Sequence, residues 1–437
     1  MLTIQAPPSK SVSHRMMMGA ALAAGDSVVR NVLESKDLER TMAVLRAAGA
    51  RITAQGAGEY AVRGMAGRPR GGALPDGAPL SCDVHESGTT CRLLTGVLAA
   101  GEGRFRIHGA PRMHERPIGE LTAALEHLGV RTYFEERSGC PPLVLETSGL
   151  EGGEVRIGLD ESSQYLSGLL LAAPLSRNGL RIVVGGTKVV SWPYVGLTLQ
   201  ALEDFGTAFT VETNDGDGWK RAEWRTLREA RPGAVRFLVP PGRYRAGEYT
   251  VEGDWSGASY FLAAGAVGRP LRVTGLKADS LQGDRALADI LRRMGAHIDV
   301  DASGVAVSPA PLHGIDVDMG ACPDLVPTVA VAAAFASGST TIRNVAHLRI
   351  KESDRIAAPA EELRRAGIAV EEHDDGMTVH GGEPRIPAGT VFRAHGDHRI
   401  AMSAAILGLS GGAVQLDDPD VVRKSFPHFW DLWRKVL

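Results

Sequence analysis

Eight cations stand in short polar segments rich in hydroxyls and glycine. They are Lys10 and Arg15 in PSKSVSHR, Arg92 in ESGTTCR, Arg112 in PRMHERP, Lys351 and Arg355 in RIKESDR, Arg399 in GDHR and Lys424 in KSFP. A guanidinium fork clamps a carboxylate or phosphate through two parallel hydrogen bonds, and nearby hydroxyls, ammonium groups and backbone N–H groups add donors. Any one Lys or Arg is ordinarily a solvated surface group. The shared setting of the eight is that of anion sites, so the implied ligands are small and multiply anionic.

Most of these segments open helices, and the openings recur. SKSVSHR (9–15), ESGTTCR (86–92), ESSQYLS (161–167), GDWSGAS (253–259), CPDLVPT (322–328) and GDHRIAMS (396–403) each precede an apolar stretch and carry residues suited to a helix N-terminus. Six positive helix ends facing one cleft make an anion trap. The helices that follow, such as LSGLLLAAPL and ASYFLAAGAV, have almost no polar face and read as core. A second kind of helix, as in TMAVLRAAGARI or LADILRRMGAHI, carries leucines at helical spacing and then Gly and a strand, with charged residues on the other face. The repeat predicts an α/β fold of two lobes, each built from three repeated α/β units around buried helices. A polar stretch with Asp215, Asp217, Lys220, Arg221, Glu223 and Arg225 lengthens the third copy and reads as a solvated insertion. Repeats of this kind also serve as binding scaffolds, so function rests on the residues at the openings.

Composition narrows the classes. The chain has 437 residues, 44% of them hydrophobic, which suits two domains better than one. A formal net charge of −3 gives it no general attraction for nucleic acid or an anionic membrane. Cys82, Cys91, Cys140 and Cys322 are far apart, which argues against a disulfide framework or zinc site and for a reduced cytoplasmic protein with no metal. Arg15 followed by MMMGAALAAG has the outline of a signal peptide but is only moderately apolar and follows a polar segment, so it reads as a core helix. No apolar run reaches the ~20 residues of a membrane span.

In their order and spacing, PSKSVSHR, SGTTCR, PRMHERP, SSQ (162–164), EGDWSGASY, RIKESDR, GDHR and KSFP resemble the motifs of the EPSP synthase (3-phosphoshikimate 1-carboxyvinyltransferase) family over nearly the whole chain. The resemblance implies a discontinuous lobe of residues 1–10 and 252–437, an inserted lobe of 11–251, and a hinge near 10 and 252. It implies transfer of the enolpyruvyl group of phosphoenolpyruvate to the 5-hydroxyl of shikimate 3-phosphate by a monomer without cofactor. Shikimate 3-phosphate is then expected at Lys10, Ser11, Arg15, Ser162, Ser163, Gln164, Ser191, Asp324, His347 and Lys351. Phosphoenolpyruvate is expected at Lys10, Glu86, Gly88, Arg112, Gln164, Arg355, Arg399 and Lys424. Asp324 and Glu352 are the implied proton carriers, with Lys10 and His398 assisting; on bland readings Asp324 is a helix cap and Glu352 an ion-pair partner.

Two positions depart from the family. Glu86 and His347 stand where many members have Asn, and a carboxylate at 86 repels an anion unless an arginine such as Arg112 intervenes. The resemblance places Gly88 where a larger residue crowds the phosphoenolpyruvate mimic glyphosate in the family, which implies sensitivity to that inhibitor. UDP-N-acetylglucosamine enolpyruvyl transferases resemble the chain less, since no Cys lies in the loop 112–116. An RNA-terminal phosphate cyclase needs a basic, aromatic groove, and aromatics are only 5% of the chain.

Overall fold

Twelve helices alternate between two kinds along the chain. In order they are α1 (Lys10–Leu22), α2 (Lys36–Ala47), α3 (Gly88–Ala99), α4 (Gly119–His127), α5 (Gln164–Ala172), α6 (Pro193–Asp204), α7 (Trp255–Val267), α8 (Ala286–Arg293), α9 (Val326–Ala334), α10 (Ala357–Arg365), α11 (His398–Leu407) and α12 (Phe429–Val436). The odd-numbered helices are the ones opened by the repeated polar segments, and nearly all their residues are buried. Their apolar surface runs all the way round, so they must be enclosed on every side. The even-numbered helices bury one stripe, as Leu287, Ala288, Ile290 and Leu291 do on α8, and turn charges such as Arg292 and Arg293 outward.

The computed structural model describes residues 1–437. They form two units: a split unit of Met1–Ser9 with Glu252–Leu437, and an inserted unit of Lys10–Val251. The split unit contains α7 to α12, and the inserted unit α1 to α6.

Each complete repeat makes one small sheet. Leu80–His85 pairs in parallel with Gly103–Gly109, which pairs antiparallel with Leu143–Thr147, and Arg131–Phe134 closes the far edge. Asp316–Asp318, Ser339–Arg343, Gly376–His380 and Ala369–His373 repeat that order in the split unit. A parallel pair needs a crossover connection, and the buried helix supplies it: α3 in the first case, α9 in the second. The outer helix ends in a reversal at Gly49, Gly129, Gly206, Gly295 or Gly367, all at positive φ, where a side chain would be strained.

The first sheet of each unit is closed by distant chain. Leu2–Gln5 lies parallel to Leu271–Thr274, and Glu248–Thr250 lies parallel to Asp26–Arg30. Strand pairing therefore binds the first nine residues to the C-terminal half. The third sheet has five strands, because the polar stretch read as an insertion contributes Trp219–Arg221, antiparallel to Thr210–Asn214. The sixth copy keeps only the two-stranded pairing of Val391–Phe392 with Gln415–Leu416. An aromatic cluster of Phe261, Phe426, Phe429 and Trp433 packs there instead, Phe429 and Trp433 stacking at 5.6 Å between ring centroids.

Inside the inserted unit the buried helices touch backbone to backbone. A Cβ on Gly96 of α3 would collide with the carbonyl of Gly168 on α5, so neither position has room for a side chain. That approach brings the N-terminal turns of α3 and α5 together. No helix is long and apolar enough to cross a membrane.

Candidate active site

In the split unit three helix-opening segments converge on one buried arginine. Arg355, in the turn before α10, donates from Nε and Nη2 to the two carboxylate oxygens of Asp397 at 2.7 and 3.1 Å. Its Nη1 donates to Asp324 Oδ1 at 3.0 Å, and Nη2 also lies 2.9 Å from Glu352 Oε2. Burial alone would lower the Arg355 pKa, but Asp397, Glu352 and Asp324 together raise it, so the guanidinium is a fixed positive charge. Arg399, in the first turn of α11, donates from Nη2 to Asp324 Oδ2 at 2.7 Å and from Nη1 to Ser256. Lys424 Nζ lies 3.9 Å from Glu352 Oε1.

The three carboxylates of this cluster differ in access. The Asp397 side chain is 0% exposed, that of Glu352 12% and that of Asp324 22%. Asp397 is thus a sealed counter-charge, and it also caps α11 by accepting from the Arg399 amide at 2.9 Å. Asp324 is the carboxylate most open to a ligand and sits between two guanidiniums, on the 3-10 turn Pro323–Leu325 that leads into α9. Such forks hold carboxylate or phosphate oxygens equally well. His398 follows Asp397 with its Nδ1 3.7 Å from Asp397 Oδ1. His347 is buried in the 3-10 turn Ala346–Ile350, and Lys351 follows directly.

In the inserted unit the expected residues lie at the starts of α1, α3, α5 and α6. Lys10 begins α1, with Nζ 3.3 Å from Asp37 Oδ2, and Ser11 is next. Arg15 is 1% exposed and donates to the carbonyls of Ser11 and Tyr194 and to the hydroxyls of Thr198 and Ser167. In this form it ties α1 to α5 and α6, and burial lowers its pKa to about 10. Gln164, first in α5, accepts from Arg92 Nη1 at 3.2 Å and donates to Thr89 at 2.9 Å, coupling α5 to α3. Ser162 accepts from the Gln164 amide at 3.2 Å, while the buried Ser163 hydroxyl has no hydrogen-bond partner. Ser191, just before α6, is held at φ 55°, a conformation uncommon for a residue with a side chain.

Gly88 is the first residue of α3, and its backbone lies under the guanidinium of Arg116, where a Cβ would come within 2.5 Å of Nη2. Arg116 Nη1 donates to the carbonyl of Glu86 at 3.3 Å, and Arg112 donates to Glu115. Among the groups that sequence reasoning missed, Arg116 follows the expected Arg112 by one turn in the same motif. Asp397 lies inside GDHR, where its neighbours His398 and Arg399 carry the more conspicuous chemistry. Ser256 in GDWSGAS and Asp284 in QGDR carried no signal, because a lone Ser or Asp in a turn is ordinarily a cap. Asp284 is buried, and burial first and then the charge of Asp324 raise its pKa to about 7.

Comparison with known proteins places these residues in a family. The EPSP synthase (3-phosphoshikimate 1-carboxyvinyltransferase) family model matches residues 2–433. The chain is 39% identical to the 3-phosphoshikimate 1-carboxyvinyltransferase of Burkholderia vietnamiensis, covering 98% of this chain and 95% of that protein. It is 40% identical to that of Thiobacillus denitrificans, over 99% and 96%. Among solved structures it resembles the EPSP synthase of Acinetobacter baumannii, with a TM-score of 0.77 at 26% identity over 99% of this chain and 95% of that one. It shares its fold with the enolpyruvyl transferase NikO of Streptomyces tendae, at a TM-score of 0.72 and 20% identity, over 99% and 94%. Matched from end to end by the family model and by relatives near 40% identity, the chain belongs to the EPSP synthase family.

Proposed function

We propose that this chain transfers the enolpyruvyl group of phosphoenolpyruvate to the 5-hydroxyl of shikimate 3-phosphate, releasing phosphate, and that it does so in the cytoplasm. The observation that carries the reading is the cluster in which Arg355 and Arg399 grip Asp324 beside Glu352 and Lys424. The reaction needs an anion clamp and two proton carriers in one place, and this cluster offers both. The family relationship supplies the substrates, and four free, buried cysteines suit a reducing compartment.

In this reading Arg355, Arg399 and Lys424 hold phosphoenolpyruvate by its carboxylate and phosphate oxygens. The ligand's charge takes over part of the role that Asp324 plays toward the two arginines, and Asp324 is released to accept a proton. Asp324 takes the proton of the 5-hydroxyl as its oxygen bonds to C2 of the enol phosphate. Glu352, beside Lys424, delivers a proton to the methylene carbon. The tetrahedral adduct then returns a methyl proton to the Glu352 carboxylate and expels phosphate with cleavage of its C2–O bond, so the product is an enol ether. Arg355 and Lys424 stabilise charge on the leaving phosphate, with Lys10 and His398 assisting.

On the inserted unit, Ser162, Ser163 and Ser191 take the phosphate of shikimate 3-phosphate, the unpartnered Ser163 hydroxyl being a donor ready for it. Ser11, Arg15 and Gln164 are assigned to the rest of that substrate, as are His347 and Lys351. Arg112, Glu86 and Gly88 are assigned to phosphoenolpyruvate, and Arg116 stands between the Glu86 backbone and Gly88. The test is phosphate release in the presence of both substrates and of each alone. Release that requires both supports the reading, and release from phosphoenolpyruvate alone refutes it.

A further inference from the structure

Arg15 is sealed from solvent in α1, and no carboxylate lies within ion-pair distance of its guanidinium. Arg355, buried to a similar degree, has three. The partners of Arg15 are all neutral. Nε donates to the Thr198 hydroxyl of α6 at 2.9 Å, and Nη2 donates to the Ser167 hydroxyl of α5 at 3.3 Å and to the Tyr194 carbonyl at 3.0 Å. Nη1 donates to the Ser11 carbonyl at 2.9 Å. A guanidinium has five N–H donors, so one on Nη1 is left over. Thr198 Oγ1 also lies 2.9 Å from Ser167 Oγ and 3.1 Å from the Tyr194 carbonyl. Having accepted from Arg15, it gives its own proton to one of these, so the two hydroxyls brace α5 against α6 beneath the arginine. Both residues are fully buried.

We propose that Thr198 and Ser167 are positioning residues of the shikimate 3-phosphate site, aiming Arg15 with uncharged acceptors so that its full charge is kept for the anionic substrate. The inference rests on reading Arg15 as a group that holds shikimate 3-phosphate. A buried cation without a counter-ion is destabilising, and a carboxylate in place of either hydroxyl would relieve that. The arrangement forgoes the relief and retains a positive charge that acts on an arriving anion in a setting of low dielectric. Burial lowers the pKa of Arg15 only to about 10, so the group is charged at neutral pH. The two hydroxyls hold the guanidinium at Nε and Nη2, and the unengaged donor is on Nη1.

The test is phosphate release from the two substrates, giving kcat and both Michaelis constants, in the wild type and in Thr198→Val, Thr198→Ser and Thr198→Asp. Thr198→Val keeps the shape but leaves Nε without an acceptor. Its constant for shikimate 3-phosphate should rise about tenfold, while kcat and the constant for phosphoenolpyruvate change by less than about twofold. Thr198→Ser keeps the hydroxyl and should stay within about threefold of the wild type. Thr198→Asp gives Nε an acceptor again but cancels the charge, so the constant for shikimate 3-phosphate should rise at least as far as in Thr198→Val. An unchanged constant for shikimate 3-phosphate in Thr198→Val overturns the inference, as do equal changes in both constants or a Thr198→Ser no better than Thr198→Val. A Thr198→Asp variant with the wild-type constant also overturns it, because the neutrality of the acceptors would then not matter. Should Thr198→Val fold poorly, Ser167→Ala removes the second hydroxyl, and a constant equal to the wild-type value there overturns it as well. If the wild type releases no phosphate from the two substrates, the functional reading has failed instead. The inference is then tested by calorimetric titration with inorganic phosphate, which must bind the wild type and Thr198→Ser more tightly than Thr198→Val and Thr198→Asp for it to stand.

Discussion

Replacing Asp397 by Asn separates a sealed counter-charge from a solvated ion pair. Asp397 Oδ1 accepts from the Arg399 amide and from Arg355 Nη2, and Oδ2 accepts from Arg355 Nε at 2.7 Å and from Ser353 at 3.0 Å. Asn keeps the helix cap through its carbonyl oxygen, but its NH2 group then points at two donors. Arg355 also loses its only fully buried partner, since Asp324 and Glu352 are both partly open. Breaking one side of a buried ion pair costs about 3–5 kcal/mol. For a unit of about 150–250 residues each kcal/mol moves the midpoint by ~2–4 °C, so the transition of the split unit should fall by roughly 6–20 °C. Differential scanning calorimetry of the whole chain resolves this, because a two-unit protein need not melt in one step. Asp301→Asn breaks an exposed pair with Arg272 in the same unit and should leave the transition in place. If Asp397→Asn moves the midpoint no more than Asp301→Asn does, Asp397 is not the fixed counter-charge of Arg355.

Asp324→Asn keeps shape and removes the base of the proposed reaction, so kcat should fall about a hundredfold or more with little change in substrate binding; weaker shikimate 3-phosphate binding with normal turnover would instead mark a positioning role. Arg399→Lys keeps charge but loses the fork to Asp324 and Ser256, so the Michaelis constant for phosphoenolpyruvate should rise by about 1.5–3 kcal/mol in binding terms, and a change confined to kcat would contradict that. Gly88→Ala drives a Cβ into Arg116; the constant for phosphoenolpyruvate should rise about 3–10-fold and competition by glyphosate weaken, and unchanged values would show that Arg116 yields without consequence. Burial and the nearby Asp324 raise the Asp284 pKa above its ordinary 3.8 in the folded chain. Stability should therefore fall as pH rises from about 4 to about 7, and Asp284→Asn should flatten that slope in urea melts taken across the range.

The repeat was legible because its signal is written many times: apolar helices without a polar face, and outer helices closed by Gly. The five glycines that end outer helices all adopt positive φ, as a helix-terminating reversal requires. The closure of each first sheet by a distant strand was not legible from periodicity, since Leu2–Gln5 and Glu248–Thr250 are short and carry no mark of their partners. In the site, cations were easy to find because Arg and Lys in hydroxyl-rich turns are unusual. Their counter-charges were harder. Asp397 looks like an ordinary turn residue, and only burial beside Arg355 gives it a role. Arg15 reads as a substrate group in the motif, and the structure gives it four internal acceptors that pin three helices.

Bond cleavage in phosphoenolpyruvate tests the central claim most directly. The proposed addition and elimination break the C2–O bond, whereas phosphoryl transfer or hydrolysis at phosphorus breaks the P–O bond. With phosphoenolpyruvate carrying 18O in the bridging position, mass spectrometry of the products after turnover with shikimate 3-phosphate locates the label. The account predicts all of it in the released phosphate and none in the three-carbon unit joined to shikimate 3-phosphate. Label retained in pyruvate or in the organic product would contradict it.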